Sequence, residues 1–436
     1  IHGAGLFRTA GVERLHIPPL KMSDGPMGVR SEFVNDQWML VGTPDDYVTY
    51  CPSNSAIAMT WNRKLARNAG KVLGEEARGR GKDVILAPGI NIKRTPACGR
   101  NFEYISEDPR LTSELAVPIV RGIETSDVAA CVKHFAMNNQ ETERLWVNVE
   151  ADERTMREIY FPAFQAVVQK AGAKSIMGSY NLIRGTHVCE NKDIMGTVLR
   201  KEWGFDGTII SDWGAVHTTK ETAEGPLDIE MSVTSDFDDY FLANPLISEI
   251  RKGHIDEACV DEKVRNILRM MVRLHMIVLT EVPDSDGKKK ILVQKNKNRK
   301  AGSYNTAKHR SEVLKVARES ITLLKNEDRK LPLDPAIDKV LVIGQNAVIS
   351  QAMGGGSAEI KALYEITPLL GISKFLGGNC EVRYARGYDI PAKKESDHNW
   401  QEDSLDASKA AAETAKETED SARLRREAVE LAKEYK

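Results

Sequence analysis

The chain has 436 residues, and its 61 Lys and Arg against 63 Asp and Glu leave a formal net charge of −2. That length exceeds what one core usually holds, so two domains are expected. The near-balance of charge removes any bulk electrostatic case for nucleic acid or an anionic membrane surface as partner, and a neutral substrate fits best. The six cysteines, Cys51, Cys98, Cys131, Cys189, Cys259 and Cys380, are scattered without CxxC or zinc-site spacing and read as reduced thiols. There is no apolar run of about 18 residues to span a bilayer and no charged start leading into a signal core. No membrane, metal or cofactor is therefore expected. Localisation is left open by a chain that begins at Ile1, with the cytoplasm favoured.

Taken in order, Asp24-Gly-Pro-Met-Gly-Val-Arg30 is a tight turn presenting a carboxylate and a guanidinium. From Thr60 to about Leu274, short apolar runs alternate with helical periodicity, the pattern of successive βα units. Leu65, Ala69, Val72 and Leu73 mark an amphipathic helix, residues 83–89 a strand and turn, and Gly99-Arg-Asn-Phe-Glu103 sets Arg100 beside a carboxylate. Residues 128–132 form a strand ending at Lys133-His134, with Arg144 following in Glu141-Thr-Glu-Arg144. Met156, Ile159 and Phe164 lie on a helix kinked at Pro162, and residues 174–178 are a strand ending at Tyr180. After a helix over 193–203, Thr208, Ile209 and Ile210 read as a buried parallel strand that delivers Asp212 at its carboxyl end, with Trp213 next. Polar or aromatic groups recur where strands end, as the catalytic face of a (β/α)8 barrel requires. The predicted fold is thus α/β, with a TIM-like barrel over 1–276. It closes with a helix that carries Val264, Ile267, Leu268, Met271 and Leu274 on one face.

The composition then changes. Lys288, Lys289, Lys290, Lys295, Lys297, Arg299 and Lys300 fall among Gly, Asn and Ser without interleaved aromatics, which favours a solvated linker over 277–310 above a polyanion-binding patch. A smaller α/β sandwich domain is expected over 311–436, with a helix over 312–320 and strands at 339–344 and 380–385. Gly344-Gln-Asn346 fails as a dinucleotide signature because Asn346 stands where the second glycine belongs. The final amphipathic helix, with Leu424, Ala428 and Leu431 on one side, has no returning strand after it, so this domain is expected to be truncated.

Taken singly, the polar residues have ordinary explanations: Asp212 as a helix cap, His134 as a satisfied buried histidine, Arg100 with Glu103 as a structural ion pair, Asp24 as a turn former. Together, Asp, Lys, His and Arg around one carboxylate, with Trp213 as an apolar wall, suit a pyranose ring better than a metal or phosphate. The ordered segments DGPMGVR, GRNFEYISEDP, KHFAMNNQETER, GSYN and SDWG resemble glycoside hydrolase family 3, most of all its β-glucosidases. The resemblance covers almost all of residues 1–276 and continues through 320–326 and 354–357.

It implies a retaining, exo-acting β-glucosidase that takes small carbohydrate substrates such as β-glucosides and cello-oligosaccharides, with homo-oligomerisation left open. Asp212 would be the nucleophile that forms a covalent glycosyl-enzyme, and Trp213 would pack under the sugar. Asp24, Arg100, Lys133 and His134 would ring the sugar hydroxyls with support from Arg30 and Arg144, while Tyr180 orients the nucleophile and Ser357 reaches over from a glycine-rich loop. The resemblance also implies an acid/base Glu on a loop beyond Lys436, since Glu103, Glu141 and Glu359 do not sit at the family's acid/base motif. A retaining mechanism needs the two carboxyl groups about 5–5.5 Å apart. Lys133, Arg100 and Arg144 are expected to lower the pKa of Asp212 by favouring its charged form.

Four alternatives bear on this reading. Lys133-His-Phe-Ala-Met-Asn-Asn-Gln140 lacks the second His of the family's β-N-acetylglucosaminidase branch, which disfavours that branch. β-Xylosidase or broad exo-β-glycosidase activity stays open, because one hydroxymethyl group changes pocket affinity by only about 1–3 kcal/mol. A non-catalytic sugar-binding module is disfavoured by the retention of Asp212, Lys133, His134 and Arg100 together. No ligand-spaced residues or phosphate loop support an unrelated metal or phosphate enzyme.

Overall fold

A computed structural model describes residues 1–32, 34, 41–283, 286–334, 336–350, 352, 356–389 and 419–435. The chain divides into two compact units, Ile1–Ile321 with Gly355–Leu363, and Thr322–Gly354 with Tyr364–Lys436. In the first, strands β1 (Met22–Asp24), β2 (Val84–Leu86), β3 (Ala129–Phe135), β4 (Ser175–Gly178) and β5 (Thr208–Ser211) lie side by side in sequence order, all parallel. Every residue of the five is buried. Parallel strands covered on both faces read as continuous apolar runs, which is why these were visible in the sequence.

Among the described residues a regular eight-stranded barrel does not form. After β5 the ring is completed by single-residue bridges: Ile210 to Ile229 and His2 to Glu230 are parallel, Gly3 to Thr9 and Arg8 to Lys21 antiparallel. Met22 N then donates to Phe7 O, which returns the chain to β1. The closing segments stay short because side chains and prolines interrupt their ladders. Asp228 accepts from Ile209 N at 2.7 Å, Glu230 accepts from Phe241 N and Leu242 N, and Pro18, Pro19 and Pro226 offer no N–H.

Outer helices follow their sequence signals. Asn62 caps α1 (Arg63–Gly79), Asp108 caps α2 (Pro109–Ile123), and Pro109 takes the first helical position. Leu65, Ala69, Val72 and Leu73 are buried on α1 as the periodicity predicts. The helical stretch from Glu153 is interrupted at Phe161 before Pro162, the expected kink. Helix α3 (Ala258–Arg273) buries Met271, while Val264, expected on the same face, is 38% exposed.

The stretch expected to be a solvated linker is structured. Strands β6 (Ile277–Pro283) and β7 (Lys289–Lys295) pair as an antiparallel hairpin. Arg299 then bonds Asp83 and the Asp127 carbonyl, Arg78 Nε donates to Lys300 O at 3.0 Å, and Ser303 N donates to Glu75 O at 3.2 Å. Helix α4 (Ala307–Glu319) lies in the first unit, through Asn68 to Glu312 and Asn62 to Glu319. The run of lysines, a feature of the solvated side of the hairpin, concealed this pairing.

In the second unit, β8 (Lys339–Ile343) and β9 (Glu381–Ala385) form a parallel pair. Helix α5 (Glu419–Glu434) joins them through Lys339 Nζ, which donates to Glu434 O at 2.5 Å, and through Tyr435 Oη, which donates to Glu381. Among the described residues no helix is long and apolar enough to cross a membrane, and no group of three or more His, Cys, Asp and Glu is placed to hold a metal ion.

Candidate active site

The carboxyl ends of β3, β4 and β5 deliver the site. Asp212 follows β5 directly, and its backbone N–H donates to Gly178 O at 3.1 Å, tying it to the end of β4. Its side chain is almost fully buried. Oδ1 accepts from Trp213 N at 2.9 Å, and Oδ2 lies 3.5 Å from His134 Nε2, too far for a good hydrogen bond. Both of those facing atoms are buried, and neither has a hydrogen-bond partner among the described residues. Native interiors rarely leave such atoms unpaired, so a facing pair is a functional signal.

Among the described residues, His134 is held by three hydrogen bonds and faces Asp212 with its free nitrogen. Tyr104 Oη meets Nδ1 at 3.2 Å; Asn91 accepts from His134 N at 2.8 Å and donates to His134 O at 2.9 Å; Asp212 faces Nε2. The peptide bond between Lys133 and His134 is cis. Burial, then the charges of Arg100, Lys133 and Arg144, hold the imidazole well below its ordinary pKa, so the ring is neutral near pH 7.

Glu103 is fully buried between two cations: Arg100 Nε bonds Oε1, and Lys133 Nζ lies 3.5 Å from Oε2. Burial alone would raise its pKa, but Arg100 and Lys133 outweigh burial and lower it, so this carboxylate stays ionised. Arg144 donates to Glu141 at 2.9 Å and lies over the Tyr180 ring, 4.6 Å from its centre. The Tyr180 phenol is pushed well up, by burial first and then by the neighbouring charge of Asp212.

The balance at Asp212 corrects one expectation. Arg100, Arg144 and Lys133 do act to lower its pKa, in that order, but burial is the larger effect and leaves the carboxyl above its ordinary value. The sequence identified the cations and had no measure of the burial.

Arg100, Lys133, His134, Arg144, Tyr180 and Asp212 are therefore one connected group. Asp24 and Arg30 pair with each other at 2.9 Å where β1 ends. Trp213, expected beneath the sugar, is 6% exposed, donates its indole N–H to Leu6 O at 2.8 Å and packs against Phe7 within the core. Ser357 lies in the Gly355–Leu363 segment of the first unit, where Ala362 bridges Val48; the glycines before it at 354 and 355 lie outside the described residues.

Residues 21–270 match the family model described as glycosyl hydrolase family 3 N terminal domain, and residues 321–433 match the C-terminal domain of the same family. The chain belongs to glycoside hydrolase family 3. It is 41% identical over 402 residues to a beta-glucosidase, BoGH3A, of Bacteroides ovatus, covering 89% of this chain and 51% of that protein. Among solved structures it is similar to DesR, a beta-glucosidase from Streptomyces venezuelae in complex with D-glucose, with TM-score 0.75, 32% identity and coverage of 90% of this chain and 49% of that one. It is also similar to beta-glucosidase 3B from Thermotoga neapolitana in complex with glucose, with TM-score 0.74, 32% identity and coverage of 94% and 52%. The chain spans about half the length of the relatives it matches.

Within this family 3 site, sequence reasoning left Asn91, Tyr104 and Asn138 unassigned and treated Glu103 and Glu141 only as ion-pair or acid/base candidates. Asn138 donates to Tyr104 Oη at 3.0 Å and to Glu141 at 3.1 Å, which links the His134 support to the Arg144 support. The available signal was position: Asn91 and Tyr104 both stand in the connection that follows the carboxyl end of β2.

Proposed function

We propose that the chain carries the glycosyl-binding site and nucleophile of a retaining, exo-acting β-glucosidase. The observation that carries this reading is the Asp212 carboxylate. It stands at a strand's carboxyl end with Oδ2 unpartnered among the described residues, beside a neutral histidine and three cations. The glucose bound in the similar structures supports a glucosyl unit as the group held.

In this mechanism Asp212 Oδ2 attacks the anomeric carbon as the glycosidic bond breaks, giving a covalent glucosyl-enzyme that water later hydrolyses. Lys133, Arg100 and His134 offer donors to ring hydroxyls, and bonds that strengthen as the oxocarbenium character grows stabilise the transition state over the ground state. Asp24 with Arg30 extends the hydroxyl ring, and Ser357 contributes from the rim. Arg144 fixes Tyr180 beside the nucleophile. Trp213, held in the core, supports the site through its backbone N–H on Asp212 and lines it from below.

Glu103 and Glu141 are committed to Arg100 with Lys133 and to Arg144 with Asn138. We therefore assign the general acid/base to a Glu outside these residues, as the family resemblance implies. The test is hydrolysis of an aryl β-glucoside whose leaving group needs no protonation. Asp212→Asn is expected to remove turnover while circular dichroism stays that of the parent. A variant that keeps more than about a hundredth of the parent rate contradicts the assignment, because a nucleophile contributes far more than that.

A further inference from the structure

The three loops that form the inner site carry a second, outer group of aromatic side chains. Asp212, Tyr180 and Arg144 are buried or half-buried; further along the same loops stand His217, His187 and Trp146. The His187 and His217 rings are stacked, 3.8 Å between centres and 25° apart in plane. Trp146 leans on both, 5.0 Å from His217 and 5.5 Å from His187, and is 62% exposed.

The group is firmly held. His187 Nε2 donates to Leu145 O at 3.0 Å, His217 N donates to Glu190 at 2.8 Å, and the backbone on either side is pinned by a small ribbon of Asn148–Val149, Leu182–Ile183 and Thr186–His187. Burial, then His187, lowers the pKa of His217 to about 4, so the His217 ring is uncharged near neutral pH. His217 Nε2 is a buried atom with no hydrogen-bond partner among the described residues. An exposed indole face on a rigid support, with a neutral hydrogen-bonding nitrogen beside it, suits a ring with one apolar face and hydroxyl edges. The chemistry assigned to Asp212 uses none of these three side chains.

We propose that Trp146, backed by the His217 and His187 stack, is the platform of a second sugar subsite that receives the leaving-group pyranose of a β-glucosyl disaccharide. The inference rests on the glucoside reading of the inner site, whose glucosyl group would place the next sugar outward along these loops. His217 Nε2 meets a hydroxyl of that sugar, and the indole covers its C–H face.

The test is titration calorimetry with glucose, which needs only the inner site, and with a sulfur-linked cellobiose analogue that resists hydrolysis. Trp146→Ala is expected to weaken the disaccharide relative to glucose by about tenfold, the factor corresponding to about 1.4 kcal/mol of stacking. Trp146→Phe, which keeps a ring, is expected to stay within about threefold of the parent ratio. An unchanged ratio in Trp146→Ala overturns the proposal. So does a loss confined to an aryl β-thioglucoside, which would assign the platform to a flat aromatic aglycone. A parent protein that binds neither glucose nor the disaccharide fails at the inner site, and the outer subsite falls with it; one that binds glucose and shows the disaccharide ratio unmoved fails only at the outer one.

Discussion

The two oxygens of Asp212 have different surroundings: Oδ1 is fixed by the Trp213 N–H, while Oδ2 faces His134 at 3.5 Å without a hydrogen bond. Fixing one oxygen and leaving the other unbonded orients a nucleophile without consuming it. Its ionisation is a contest between burial, which raises the pKa, and Arg100, Arg144 and Lys133, which lower it. In the proposed mechanism the attacking form is the carboxylate, so the rate of glucosyl-enzyme formation is expected to fall as pH drops through this pKa. Removing a cation raises the pKa further, and Arg144→Gln is therefore expected to move the acid limb of that rate to higher pH. A limb that stays in place or moves down contradicts the electrostatic account. Because His134 is neutral well below pH 6.5, its own titration is expected to leave the neutral part of the profile flat. Glu103 acts one step further back, as the counter-charge of Arg100 and Lys133. Glu103→Gln leaves two buried cations short of a partner. It is expected to cost about 3 kcal/mol in a urea unfolding experiment and about a hundredfold in the rate of glucosyl transfer, since both cations lose their positions.

Helices α1 and α2 approach closely because glycines face backbone. A Cβ on Gly70 would come within 2.2 Å of Ile119 O, and one on Gly74 within 2.3 Å of Ile123 O. In an isolated helix Gly70→Ala would gain about 1 kcal/mol of propensity. Here the methyl group meets a carbonyl that cannot move without shifting α2, so net destabilisation of about 1–3 kcal/mol is expected in denaturant. A stabilised variant would show that the contact is looser than described. Helix α4 is fastened to α1 by His309, whose Nδ1 lies 2.7 Å from Glu76 and Nε2 2.8 Å from Glu75. Burial opposes the imidazolium, but the two carboxylates outweigh it and raise the His309 pKa. A raised pKa means that this stabilisation is fully present below the unfolded value of about 6.5 and is lost as pH rises through the folded value. His309→Gln is accordingly expected to lower the urea midpoint most near pH 6, by about 2 kcal/mol, with the gap to the parent narrowing toward pH 9. A gap independent of pH would mean that the cationic form plays no part.

At the scale of the molecule, what the sequence reveals depends on who makes the hydrogen bonds. Strands such as Ala129–Phe135 and Thr208–Ser211 are apolar on both faces and announce themselves, and with them the positions of Lys133, His134 and Asp212 at their ends. Closure of the ring was not legible, because the side chains of Asp228 and Glu230 take backbone donors that a regular ladder would have used. The hairpin over 277–295 was hidden by its lysines, and Trp213 gave no sign that its indole would be spent on Leu6 O inside the core. Asn91 and Tyr104 gain their roles only when the connection after β2 folds against His134 on the neighbouring strand, a contact that spacing along the chain does not encode. The family follows from the whole chain, whereas the proposed reaction rests on Asp212. The most direct measurement is therefore mass spectrometry of peptides after exposure to a 2-deoxy-2-fluoro-β-glucoside with an activated leaving group, which traps a glucosyl-enzyme without any general acid. The account predicts a fluoroglucosyl adduct on the peptide that contains Asp212, absent in Asp212→Asn. A folded, glucose-binding protein that takes no label, or takes it on another carboxylate, would contradict it.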